Sequence, residues 1–63
     1  MNKKEIIIYL EEMLYNYNGS YDSYFNDYLG LKSKKDKKQW FKENFNCHGN
    51  TINAVLKELN VKY

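Results

Sequence analysis

The sequence predicts an all-α domain, a compact bundle of four short helices, and three observations lead there. Four segments carry apolar residues at the 3.6-residue spacing of a helix, their ends hold residues suited to capping, and no stretch alternates apolar and polar with the period of a strand. The 63 residues contain no proline and no internal repeat, and the connections are expected to be about two to five residues long, which packs consecutive helices on one another. A chain of this length buries only about 60% of the surface its unfolded form exposes, so residues 1–63 are expected to form a single helical domain around one small core.

The first helix is expected in "NKKEIIIYLEEMLYNYNG". Ile6, Ile7, Leu10, Met13, Leu14 and Tyr17 share a face, Asn2 and Glu5 have capping-box spacing, and Asn16 to Gly19 stop the helix. The second, "SYDSYFNDYLG", starts after Ser20, lines up Tyr21, Tyr24, Phe25, Tyr28 and Leu29, and closes at Gly30. The third, "SKKDKKQWFKENF", opens on Ser33 and Asp36 and offers Trp40, Phe41 and Phe45 to the core, with lysines 34, 35, 37, 38 and 42 covering the remainder. The fourth follows "NCHG", begins near Asn50 and buries Ile52, Val55, Leu56 and Leu59.

Charge is divided along the chain more sharply than its formal +2 suggests. From Glu5 to Leu31 there are five acids and no lysine, whereas from Lys32 onward eight lysines meet three acids. Such an asymmetry points to a charged partner for one half or the other. One cysteine cannot form an intrachain disulfide, and with one histidine there is no four-ligand set for a structural metal, so a reducing, cytoplasmic setting without metal or cofactor is expected. The apolar run "IIIYL" ends at Glu11 and Glu12, too short for a signal-peptide core or a bilayer span. Arginine is absent while Lys, Asn, Tyr and Ile abound, the composition of AT-rich coding and, with the small size, an expectation of phage or other mobile-element origin.

Residues 40–61, "WFKENFNCHGNTINAVLKELNV", resemble the helix-turn-helix unit of bacterial transcriptional regulators, in particular the second and third helices of winged-helix proteins. Phe45, Asn46, Thr51, Ile52, Leu56, Leu59 and Val61 fall on the positions that the family reserves for the apolar close of the first helix, the positive-φ turn residue, the first-turn hydroxyl and the apolar positions that follow. The sequence departs from the family at Lys42, where alanine is common, at Glu58, an acid on the helix that would enter the groove, and after Val61, where nothing corresponds to a wing.

The resemblance implies duplex DNA as partner, with the fourth helix reading the major groove. Thr51 would meet a phosphate at the helix start, Asn50, Asn53 and Lys57 would face base edges, and Lys34, Lys37 and Lys38 would hold the backbone. Trp40 is a candidate for the same basic surface. A homodimer formed through the first apolar helix would supply a second half-site. The alternative is a small interaction protein, an anti-defence or host-takeover inhibitor. It would present Tyr9, Glu11, Glu12, Tyr21, Asp22 and Asp27 to a larger, basic nucleic-acid-handling protein.

No enzyme is expected. Cys47 and His48 are adjacent, so their side chains diverge instead of meeting as nucleophile and base, and Glu11 and Glu12 face different directions with no histidine partner.

Overall fold

In a computed structural model, which describes residues 1–62, the chain is all-helical. It contains α1 (Lys3–Met13), a single α-turn α2 (Tyr21–Ser23) that continues as a π-helix (Tyr24–Tyr28), α3 (Lys34–Phe45) and α4 (Gly49–Glu58). No strand occurs among the described residues.

The starts follow the sequence signals. Asn2 and Glu5 form a reciprocal capping box, with Glu5 N–H donating to Asn2 Oδ1 at 2.9 Å and Asn2 N–H to Glu5 Oε1 at 3.2 Å. Ser20 and Ser33 cap α2 and α3 by accepting from the N–H groups of Ser23 and Asp36. The end of α1 comes earlier than expected. After Met13 the winding tightens, Tyr15 N–H reaching Glu12 O and Tyr17 N–H reaching Leu14 O, so the connection to α2 is seven residues long, not two to five. Met13 is therefore not a core residue but stands 45% exposed. The connection folds back on itself where the Tyr17 hydroxyl meets Ser23 Oγ at 3.0 Å and the Tyr17 ring meets the edge of Tyr24.

The second helix is also not the α-helix its spacing implies. The Asn26 side-chain amide donates to the Asp22 carbonyl at 2.8 Å, as the Asn44 amide does to the Trp40 carbonyl in α3. Beyond it the ladder widens, with Leu29 N–H reaching Tyr24 O. Gly30 at φ 70° then reverses the chain, and Leu31 N–H closes on Phe25 O.

The core gathers Ile6, Leu10 and Leu14 of α1, Tyr24 and Phe25, Phe41 and Phe45 of α3, Ile52, Val55 and Leu56 of α4, and Cys47 and Val61 beside it. Leu59 packs only partly. Phe25, Trp40, Phe41 and Phe45 form a ring-to-ring network with centroids 5.2–5.8 Å apart, so aromatic area replaces the scarce aliphatics. α4 packs on α1 and α3, and an ion pair of 3.0 Å from Lys3 to Glu58 joins the start of α1 to the end of α4. The Cα radius of gyration, 10.6 Å, equals the value of about 10.6 Å expected for a compact chain of this length, which fits a single folded unit.

Candidate nucleic-acid interface

The α3–α4 pair is built around a three-residue turn. Asn46 adopts the left-handed conformation, φ 48° and ψ 48°, and its N–H closes α3 on Lys42 O at 3.0 Å. Asparagine tolerates this region better than most residues because its short side chain bonds locally. Cys47 is buried and its Sγ lies 3.7 Å from the Phe41 carbonyl oxygen, while the chain re-enters a helix at His48. His48 gives α4 no side-chain cap, in contrast to Asn2, Ser20 and Ser33 at the other starts, so the first-turn N–H groups of α4 meet no capping side chain.

On α3, Lys34, Lys35, Lys38 and Lys42 stand with Gln39 around an open depression of about 510 Å³. All five belong to one helix, so the depression has a single wall and suits an extended charged surface better than an enclosed small molecule. Spacings of three and four residues bring these lysines to one side. Gln39 is held by its own neighbour, donating to Glu43 Oε1 at 2.8 Å. Lys42, at the family's usual alanine position, is exposed and turns outward.

Lys37 is not part of this surface. Expected on the outer face with Lys34 and Lys38, it is fully buried, and its Nζ donates to Asn26 Oδ1 at 2.9 Å and to Lys32 O at 3.1 Å. The reason is periodicity, since Lys37, Phe41 and Phe45 lie at i, i+4 and i+8 on the buried stripe. Trp40 is absent from the basic surface too, because its ring is engaged with Phe25, Phe41 and Phe45.

On α4, Asn50, Ala54 and Lys57 are exposed and Thr51 is half-buried in the first turn. Asn53, expected to face outward with them, is half-buried, and its Oδ1 is buried without a hydrogen-bond partner. The potential base-reading face therefore contracts to Asn50, Ala54 and Lys57. Glu58 is tied to Lys3, a pairing across 55 positions of sequence that no local pattern signals.

The six residues of the alternative acidic and aromatic surface do not form one face. Tyr9 lies beside Phe45, with ring centroids 6.3 Å apart, whereas Glu11 is exposed. The two are about 200° apart around α1, as any i, i+2 pair on a helix must be. Asp22 is occupied internally, accepting from Asn26 Nδ2 at 3.0 Å and from Lys62 N–H at 2.9 Å. Glu12 and Asp27 are exposed.

Burial pushes the Cys47 thiol above its ordinary range, which holds it in the un-ionised, poorly nucleophilic form, and His48 beside it is exposed. Among the described residues no cluster of His, Cys, Asp and Glu could hold a metal ion, and no helix is long and apolar enough to cross a membrane. Comparison with protein families, curated proteins and solved structures finds no match to this chain.

Proposed function

We propose that the protein binds duplex DNA through α3 and α4, with the lysine row of α3 on the phosphates and the start of α4 directed at the groove. The observation that carries this reading is the placement of Lys34, Lys35, Lys38 and Lys42 on one side of α3, leading through a three-residue turn opened by left-handed Asn46 into a helix that no side chain caps. Lysines neutralise phosphates with release of counterions, and helix-start N–H groups bind phosphate oxygens well. Exposed Asn50 and Lys57 remain for base edges, a small set, so binding is dominated by the backbone and discriminates weakly among sequences. In this reading the chain is a small non-enzymatic regulator, and its arginine-free, AT-rich type of composition fits a phage or mobile element.

The test is fluorescence anisotropy on mixed-sequence duplex at low salt, repeated as salt rises. Binding should weaken linearly on logarithmic axes, and Lys38→Ala and Lys42→Ala should each reduce the slope by about one unit. No binding at about 100 μM protein, the weak end of non-specific affinity, would overturn the reading.

A further inference from the structure

The end of α1, the connection after it and the π-helix border an open cavity of about 260 Å³, lined by Met13, Asn16, Tyr17, Tyr24 and Tyr28. None of the five belongs to the lysine face of α3 or to the acidic surface expected from the sequence. The walls are mainly aromatic. Tyr28 stacks on Tyr24 with centroids 5.2 Å apart and planes 21° apart, and Tyr17 stands 5.1 Å from Tyr24 at 75° and 5.8 Å from Tyr28 at 55°. The hydroxyl of Tyr17 bonds to Ser23 Oγ, so its ring is placed before any ligand arrives. Tyr28 keeps 68% of its surface in solvent and Met13 45%, so much of each side chain remains uncovered.

We propose that this cavity binds a quaternary ammonium group. The negative faces of tyrosine rings attract a cation within about 6 Å of a ring centroid, and centroids this close bring one cation within reach of more than one ring. The surroundings favour the same sign of charge. Glu12 and Asp27, both exposed, each precede a lining residue, and no lysine occurs between Glu5 and Leu31. A primary ammonium would bring three N–H donors that need acceptors, but the lining holds no carboxylate and the Tyr17 hydroxyl is already engaged with Ser23. A quaternary ammonium brings no donor, and its methyl groups can pack on the rings and on the Met13 thioether. The volume is below the roughly 300–1,000 Å³ of sites for drug-sized ligands, which suits a head group. A small choline-like molecule and a trimethylated lysine side chain both present that group.

The test is a titration of the full chain with choline to about 100 mM at constant ionic strength, followed by the NMR signals of the Met13 methyl group and the tyrosine rings. Saturable shifts centred on Met13, Tyr17, Tyr24 and Tyr28 are expected, with a dissociation constant of about 1–10 mM. Dimethylbutanol, the uncharged carbon analogue of choline, should bind at least about tenfold more weakly, which separates attraction of the cation from burial of its methyl groups. Tyr28→Phe keeps the ring face and should bind choline within about threefold of the original chain, whereas Tyr28→Leu should weaken binding at least about fivefold. Position 28 is exposed, so both variants should fold, and far-UV circular dichroism checks this. An alanine peptide carrying one trimethyllysine distinguishes the sources. Affinity at least about tenfold above that of choline assigns the site to a protein side chain, and anything less to a small molecule. No saturable shift with either probe would overturn the proposal. So would equal affinity for dimethylbutanol, or a folded Tyr28→Leu variant that binds choline as the original chain does.

Discussion

The Lys37 ammonium donates to the side-chain oxygen of Asn26 at 2.9 Å, and this bond ties α3 to the π-helical segment from inside the molecule. Asn26 donates in turn to the Asp22 carboxylate, which also accepts from Lys62 N–H. A buried cation thus reaches its nearest hydrogen-bonded carboxylate only through an amide. The network draws together α2, the π-helix, α3 and the C-terminal segment. Buried charges are costly unless they are hydrogen-bonded, and two acceptors, Asn26 Oδ1 and Lys32 O, hold this one in place.

Lys37→Ala should accordingly behave as a core mutation. It leaves a cavity and two acceptors without their donor, and should cost about 2–4 kcal/mol in urea unfolding, while Lys37→Met, which keeps the buried stem, should cost less. Lys38→Ala removes a side chain of the lysine-lined face and should change stability by no more than about 0.5 kcal/mol. Equal losses at positions 37 and 38 would contradict this division of the lysines.

Asn53 yields the opposite sign. Its side-chain oxygen is buried without a partner, and asparagine is a poorer helix former than alanine, so Asn53→Ala should raise stability by about 0.5–1 kcal/mol. If the residue instead loosens from α4 to read a base, the same substitution should lower discrimination between duplexes without weakening binding to mixed sequence. Thermal unfolding and anisotropy on one protein sample read the two effects separately.

These two residues mark how far the sequence can be read. Caps at Asn2, Ser20 and Ser33, the stop at Gly30 and the left-handed Asn46 depend on neighbours within a few positions, and each was legible. Lys37 was legible in spacing but not in chemistry. It lies on the Phe41–Phe45 stripe, yet a lysine is assigned to solvent unless its partner is known, and that partner is eleven positions away on a segment that winds as a π-helix. The π-helix differs from an α-helix by one residue in hydrogen-bond register, Leu29 N–H reaching Tyr24 O, which apolar periodicity does not encode. The Lys3 to Glu58 pair and the separation of Tyr9 from Glu11 depend on how α1 sits against its neighbours. The lysine row of α3 needed only helical spacing, apart from the one member that folding buried.

Gly19 tests the close approach of the α1–α2 connection. A β-carbon there would lie 2.7 Å from the Tyr17 ring carbon Cε2 and 2.9 Å from Ser23 Oγ, and those two side chains are themselves bonded through the Tyr17 hydroxyl. Gly19→Ala should therefore cost about 1–3 kcal/mol and change the near-ultraviolet tyrosine dichroism. An unchanged denaturation midpoint would mean that the connection shifts without penalty.

At the α3–α4 turn, Asn46→Gly should be neutral or slightly stabilising, because glycine takes φ 48° without steric cost. Asn46→Val should destabilise by at least about 1 kcal/mol, since a β-branched residue strains in this region. Duplex affinity should fall with Val in proportion to the loss of folded protein if the turn sets the angle of α4. Retained stability with Val would show that the turn can take another path.

Stability should decline in alkali. Burial raises Cys47 above the ordinary 9.0 of a thiol; burial, then the charge of Glu11, raises Tyr21 above 10.0; burial, then neighbouring Tyr28, raises Tyr24 above 10.0. Each group is an acid whose neutral form the fold prefers, so the unfolded chain releases its proton at lower pH than the folded one. The linked stability is fully present below the unfolded-state values and is lost as pH rises through the folded-state values. Urea midpoints should stay level from pH 7 to about pH 9, as far as these groups control them, and fall beyond it, first from Cys47 and then from the two tyrosines. Cys47→Ala should remove the early part of the decline, and Tyr24→Phe should reduce the later part while keeping the ring that packs on Phe25. Midpoints that stay constant to pH 11 would show that these three side chains ionise as freely in the fold as in the open chain.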